Sequence, residues 1–148
     1  MPPDEPGGER SPPGGSSMVQ TPSASPYLWA LRIAALVQMA LIALEFATAG
    51  QLVLEEVSAL GLHAGTALAV HAAGGVQLLA SALLVRPGGG PVWPAVLSAL
   101  AFGTGFAQAY FGSHMMLGLH VPTALLLVVL VMAVAVAAWL PSLRRAGN

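Results

Sequence analysis

Four long apolar runs, separated by short polar or helix-breaking stretches, dominate the chain from residue 27 onward. The first runs from Tyr27 to Gly50 and is followed by a polar stretch, Gln51 to Ala59, with Glu55 and Glu56. The second runs from Leu60 to Val85 and is broken by Arg86-Pro87-Gly88-Gly89-Gly90-Pro91, which no helix can continue through. The third, Val92 to Gly112, and the fourth, Met116 to Leu140, are separated only by Ser113-His114-Met115. About 20 apolar residues cross the hydrocarbon core of a bilayer, so each run is long enough. The pattern predicts an all-α membrane protein: a four-helix transmembrane bundle of two tandem helical hairpins. Its spans are expected at about 27–50, 60–85, 92–112 and 116–140. Tyr27, Trp29, Trp93 and Trp139 sit at run ends, where amphipathic rings favour the interface. Arg32, one turn inside the first run, is expected to snorkel back to the headgroups.

Residues 1–26 are rich in Pro, Gly and Ser and are expected to form a disordered cytoplasmic tail. Residues 141–148 form a second short tail. A rival reading makes the first run a signal peptide cut after Ala47-Thr48-Ala49. Against it, the run is longer than an h-region of about 7–15 residues and contains Glu45.

Composition sharpens the membrane assignment. Of 148 residues, 56% are hydrophobic and 7% charged, against about 25% charged in soluble domains. That apolar excess must face lipid, so the bilayer is the first partner. A net charge of −1 leaves no basic footprint for nucleic acid. The absence of cysteine excludes disulfides, thiolate metal sites and a cysteine nucleophile. All five cationic residues are arginines (Arg10, Arg32, Arg86, Arg144, Arg145), and a four-span arrangement puts them all on one side. Glu55, Glu56 and His114 fall on the other. The positive-inside rule then predicts a multi-pass protein of the inner (plasma) membrane with both termini in the cytoplasm.

The runs also echo one another. Residues 60–68 read Leu-Gly-Leu-His-Ala-Gly-Thr-Ala-Leu and residues 117–125 read Leu-Gly-Leu-His-Val-Pro-Thr-Ala-Leu, seven of nine positions being identical. Upstream, Phe46-Ala47-Thr48-Ala49 is echoed by Phe106-Ala107-Gln108-Ala109. The offsets are 57 and 60 residues, a difference that one connecting loop absorbs. This reads as a duplicated helical hairpin, whose copies a pseudo-two-fold axis along the membrane normal would relate.

Each copy carries a histidine near the outer end of its second helix, His63 and His120. Two imidazoles at matched depth are candidate axial ligands for one haem iron held between helices two and four. The competing reading is that each is an interhelical hydrogen-bond fastener. Thr66 and Thr123 follow the histidines by three and are candidates to bond nearby backbone or orient the rings. His71 lacks a partner in the other copy, where Val128 stands. It reads as a buried neutral imidazole, or else as a second-site ligand or proton relay. His114 reads as a solvated turn residue, or as a contact to a cofactor edge. Glu45 is the only acid inside a run, expected about five residues from the outer end, or about 7 Å deep. An intramembrane carboxylate points to function, and the histidine cluster is its expected partner.

With its Leu-His motifs opening helices two and four, and its Phe-Ala-x-Ala region, the chain resembles one half of haem A synthase. It also resembles transmembrane b-type cytochromes and small actinobacterial four-helix membrane proteins. The resemblance covers about residues 27–140. It implies b-type haem held by His63 and His120, with electron transfer to a membrane redox partner or quinone, or assistance to haem enzymes. The chain departs from the synthase in two ways. Glu45 is followed by Phe46-Ala47-Thr48-Ala49 rather than by a nearby histidine-arginine pair, and one bundle is present instead of two. Two further functions remain open: a non-catalytic accessory membrane subunit, and a small proton-coupled transporter using Glu45.

Overall fold

A computed structural model describes residues 25–141 and 143. Of the tails expected at 1–26 and 141–148, residues 1–24, 142 and 144–148, with Arg10, Arg144 and Arg145, lie outside the described residues. Four helices follow in order: α1 (Pro26–Val53), α2 (Ala59–Val85), α3 (Trp93–Ser113) and α4 (Leu117–Ala137). All four are long and apolar enough to span a membrane. At 1.5 Å per residue, the 28 residues of α1 extend about 42 Å and the 21 of α3 about 31 Å.

Local chemistry sets the helix ends. Ser25 Oγ accepts the amide N–H of Leu28 at 3.3 Å, and Pro26 occupies the first helical position, where its missing N–H costs nothing. These two residues, expected to fall within the disordered tail, are therefore the start of α1. The helix continues unbroken past Ala49 to Val53. Glu45 thus lies eight residues, about 12 Å, from its end rather than five. At the close of α2 the glycine run folds back over the last turn. The N–H groups of Gly88, Gly89 and Gly90 donate to the carbonyls of Leu83, Val85 and Leu84, and Gly89 has φ of 68°.

The helices form two antiparallel hairpins, α1 with α2 and α3 with α4, closed by contacts of α2 with α3 and of α1 with α4. The diagonal pairs, α1 with α3 and α2 with α4, barely touch. One end of the bundle carries the α1–α2 and α3–α4 turns (the turn end). The other carries the start of α1, the α2–α3 connection and the end of α4 (the termini end). Apolar packing is densest at the termini end, around Leu28, Leu31, Leu84, Val134 and Ala138. A second cluster, Ile42, Val70, Ala101, Leu127 and Val131, fills the middle. Outward faces carry Ile33, Leu68, Val76, Leu79 and Val129, all more than half exposed, as lipid-facing surfaces require.

Arg32 does not reach for the headgroups. It is 3% exposed, its guanidinium lies 4.7 Å from the ring of Trp29 and 4.4 Å from that of Trp139, and its Nε donates to the Ala138 carbonyl at 2.9 Å. The cation answers an orphan carbonyl at the end of α4 and stacks on two aromatic faces, which replaces the water it loses.

Candidate functional site: a polar cleft at the turn end

The two sequence echoes meet inside each hairpin. In the first, Nδ1 of His63 lies 2.8 Å from Thr48 Oγ1 and 3.1 Å from Glu45 Oε2. The Thr48 hydroxyl has carbonyl acceptors at Glu45 (3.0 Å) and Leu44 (3.1 Å). The Nδ1 proton is therefore shared between that hydroxyl and the carboxylate. Thr66 Oγ1 donates to the other carboxylate oxygen of Glu45 and lies 2.9 Å from the Leu62 carbonyl. Glu45 is thus held from two sides, with 14% of its side chain exposed and 18% of that of His63.

In the second hairpin, Nδ1 of His120 donates to the Gln108 carbonyl at 2.8 Å, and the Gln108 side-chain amide donates back to Nε2 at 3.2 Å. Gly112 permits this approach, because a Cβ there would stand 2.8 Å from the ring. Thr123 bonds the backbone, its hydroxyl lying 2.7 Å from the Leu119 carbonyl and 3.0 Å from that of His120.

His71 sits deeper. Its Nδ1 lies 2.7 Å from the Ala67 carbonyl, its ring lies 4.8 Å from that of Phe106, and its Nε2 is buried without a hydrogen-bond partner. His114 is exposed on the α3–α4 turn, stacked 4.2 Å from the Tyr110 ring and bonded to the Tyr110 carbonyl.

A cleft of about 330 Å³ opens among these groups. Glu45 and Phe46 of α1, His71 of α2, Gln108 of α3 and Ala124 of α4 all line it. Its enclosed part has room for about two water molecules. Below it, on the far side of His71, lies a smaller void of about 180 Å³ whose enclosed part holds about one.

The structure therefore gathers Glu45, Thr66 and His63 at one place, and Glu45 with His71 around the cleft. It does not gather His63 with His120, which lie on diagonal helices and turn to the first helix of their own hairpins. A haem needs two imidazole nitrogens facing one iron from opposite sides. Here both nitrogens of His120 and Nδ1 of His63 are engaged elsewhere. These residues do not fit that group as they stand. Among the described residues, no three histidine or acidic side chains cluster as a metal site requires.

Sequence reasoning missed Thr48 and Gln108 as partners of the histidines. Both are the third residue of a Phe-Ala-x-Ala echo, and that shared position was the available signal. Fold and site together define a class, the polytopic four-helix membrane protein with an ionisable cleft between its helices. Comparison with protein-family models, with curated proteins and with solved structures returns no match.

Proposed function

We propose that the protein is a small proton-coupled membrane carrier whose proton-binding group is the Glu45–His63 pair. A carboxylate and an imidazole 3.1 Å apart hold one added proton on either partner, as carboxylate with imidazolium or as carboxylic acid with neutral imidazole. The observation that carries the reading is that Glu45, paired with His63, lines a cleft to which all four helices contribute. Burying a carboxylate within apolar spans is costly, and such a group points to function. The cleft's room for about two waters suits protons better than a macrocycle. Under the same reading, the chain lies in the plasma membrane with both termini cytoplasmic, and the Glu45 cluster opens toward the outer face. The exposed Arg86 at the termini end supports this orientation.

The test is proton flux into vesicles containing the purified protein and a trapped pH dye, driven by a potassium diffusion potential. Flux above that of protein-free vesicles is expected, falling at least tenfold with Glu45→Gln. Flux equal to that of empty vesicles rejects the proposal.

A second reading, an accessory subunit whose histidines only fasten helices, is favoured by the doubly bonded His120–Gln108 pair. It expects Glu45→Gln to alter assembly with a partner and to leave no transport phenotype.

A further inference from the structure

The cleft and the smaller void below it share three lining residues, Val70, His71 and Leu127, so the His71 ring forms part of the wall between them. The smaller void is also lined by Gln38, Gly74, Phe102 and Gly105. Two buried polar atoms on these residues have no protein partner, Oε1 of Gln38 and Nε2 of His71. Gln38 is 1% exposed.

Both atoms are acceptors. A carbonyl can only accept, so the 2.7 Å contact to Ala67 fixes the proton of neutral His71 on Nδ1 and leaves a bare lone pair on Nε2. Gln38 Oε1 is an amide oxygen. Two buried acceptors without partners, on two side chains that line one small cavity, cost about 1–3 kcal/mol each unless a donor joins them. The space holds about one water, and a water has two hydrogens to give. Glycines keep it open: a Cβ at Gly105 would stand 3.6 Å from His71 Nε2, and one at Gly74 would stand 3.1 Å from Gln38 Nε2.

We propose that a single water bridges Gln38 Oε1 and His71 Nε2 in this void, and that His71 exchanges protons between that water and the Glu45 cleft. The relay rests on the proton-coupled reading above; the water site does not. Once the bridging water has turned its oxygen, rather than a hydrogen, toward Nε2, a protonated water in the cleft transfers its proton to that nitrogen, giving imidazolium and water. The same proton then leaves Nε2 for the bridging water, and the ring returns to its neutral form. Nδ1–H stays on the Ala67 carbonyl throughout, so one nitrogen both receives and releases. The Phe106 ring lies 4.8 Å away, tilted 60° to the imidazole. Glu45 is the only other titratable group lining either space.

The test uses the full chain in bilayers, labelled with nitrogen-15 histidine, and solid-state NMR. The ring whose signals vanish in His71→Gln is expected to show a protonated Nδ1 and a bare Nε2 in contact with water. Gln38→Leu and Gly105→Ala should each remove the water contact while keeping the Nδ1 proton. The second variant adds a methyl 3.6 Å from Nε2 and removes no polar side chain, so it guards against misfolding of the first. In vesicles, His71→Gln should lower proton flux at least tenfold, with helix content unchanged by circular dichroism and His114→Ala as the control. A protonated Nε2, or a water contact that survives both void variants, overturns the water site. Flux that depends on Glu45 and is indifferent to His71 overturns the relay. A Gln38-dependent water contact in a protein with no flux supports the water site and overturns both the relay and the carrier reading.

Discussion

His120 and Gln108 clasp each other twice, ring N–H to backbone carbonyl at 2.8 Å and side-chain amide to ring nitrogen at 3.2 Å. His63 meets Thr48 at 2.8 Å in the other hairpin, and Thr48 and Gln108 hold the same place in their respective echoes. Each motif histidine is therefore satisfied within its own hairpin. What sets the hairpins apart is the acid: Glu45 stands beside His63, and its counterpart sixty residues on is Gly105.

Loss of the second clasp should register as stability. His120→Ala removes two hydrogen bonds and a ring packed on Gly112, and is expected to cost about 1–3 kcal/mol. Gly112→Ala forces the ring off the Gln108 carbonyl and should cost about as much. Unfolding in mixed micelles, followed by circular dichroism, measures both; no shift in either midpoint would mean that the clasp contributes nothing.

Haem supplied to the purified protein should give no Soret band that depends jointly on His63 and His120, because both rings would have to leave their partners and meet across a diagonal. An absorption spectrum of wild type beside the two single alanine variants decides the matter. A band lost in both variants would restore iron ligation by this pair.

The Glu45 variants should separate charge from hydrogen bonding. Glu45→Gln keeps one oxygen acceptor and puts an amide donor where the other carboxylate oxygen stood, so one of the bonds to Thr66 and His63 must reverse or be lost, at an expected cost of about 1 kcal/mol. Glu45→Leu leaves the His63 Nδ1 proton to Thr48 alone. Proton flux should fall in both variants, and thermal unfolding should distinguish them only if the bonds matter to stability.

At the termini end, Arg32→Ala should loosen the contact of α1 with the end of α4, through loss of a carbonyl partner and of two aromatic faces. The expected cost is about 2–4 kcal/mol. Arg32→Lys keeps the charge but loses the planar guanidinium and should recover only part of it. Trp fluorescence reports the change directly, since Trp29 and Trp139 pack edge to face at 5.8 Å.

The four helices and their pairing into two hairpins were legible in the chain. Apolar run length against bilayer thickness, and breakers such as Arg86-Pro87-Gly88, are local properties that no packing arrangement overrides. That Gln38 and Glu45 share one helix face follows from their seven-residue spacing, while the packing alone turns that face toward the two cavities. Which helices stand side by side is a different matter. Helical period says which way a side chain points from its own axis and is silent on what stands opposite. The motif histidines could therefore be assigned a matched depth but not a partner, and only the bundle's diagonal geometry turns each toward its own hairpin. Arg32 shows the same limit at the other end. A lone cation near a helix start reads as one that reaches for water, until two tryptophans and a free carbonyl from the far end of the chain close around it.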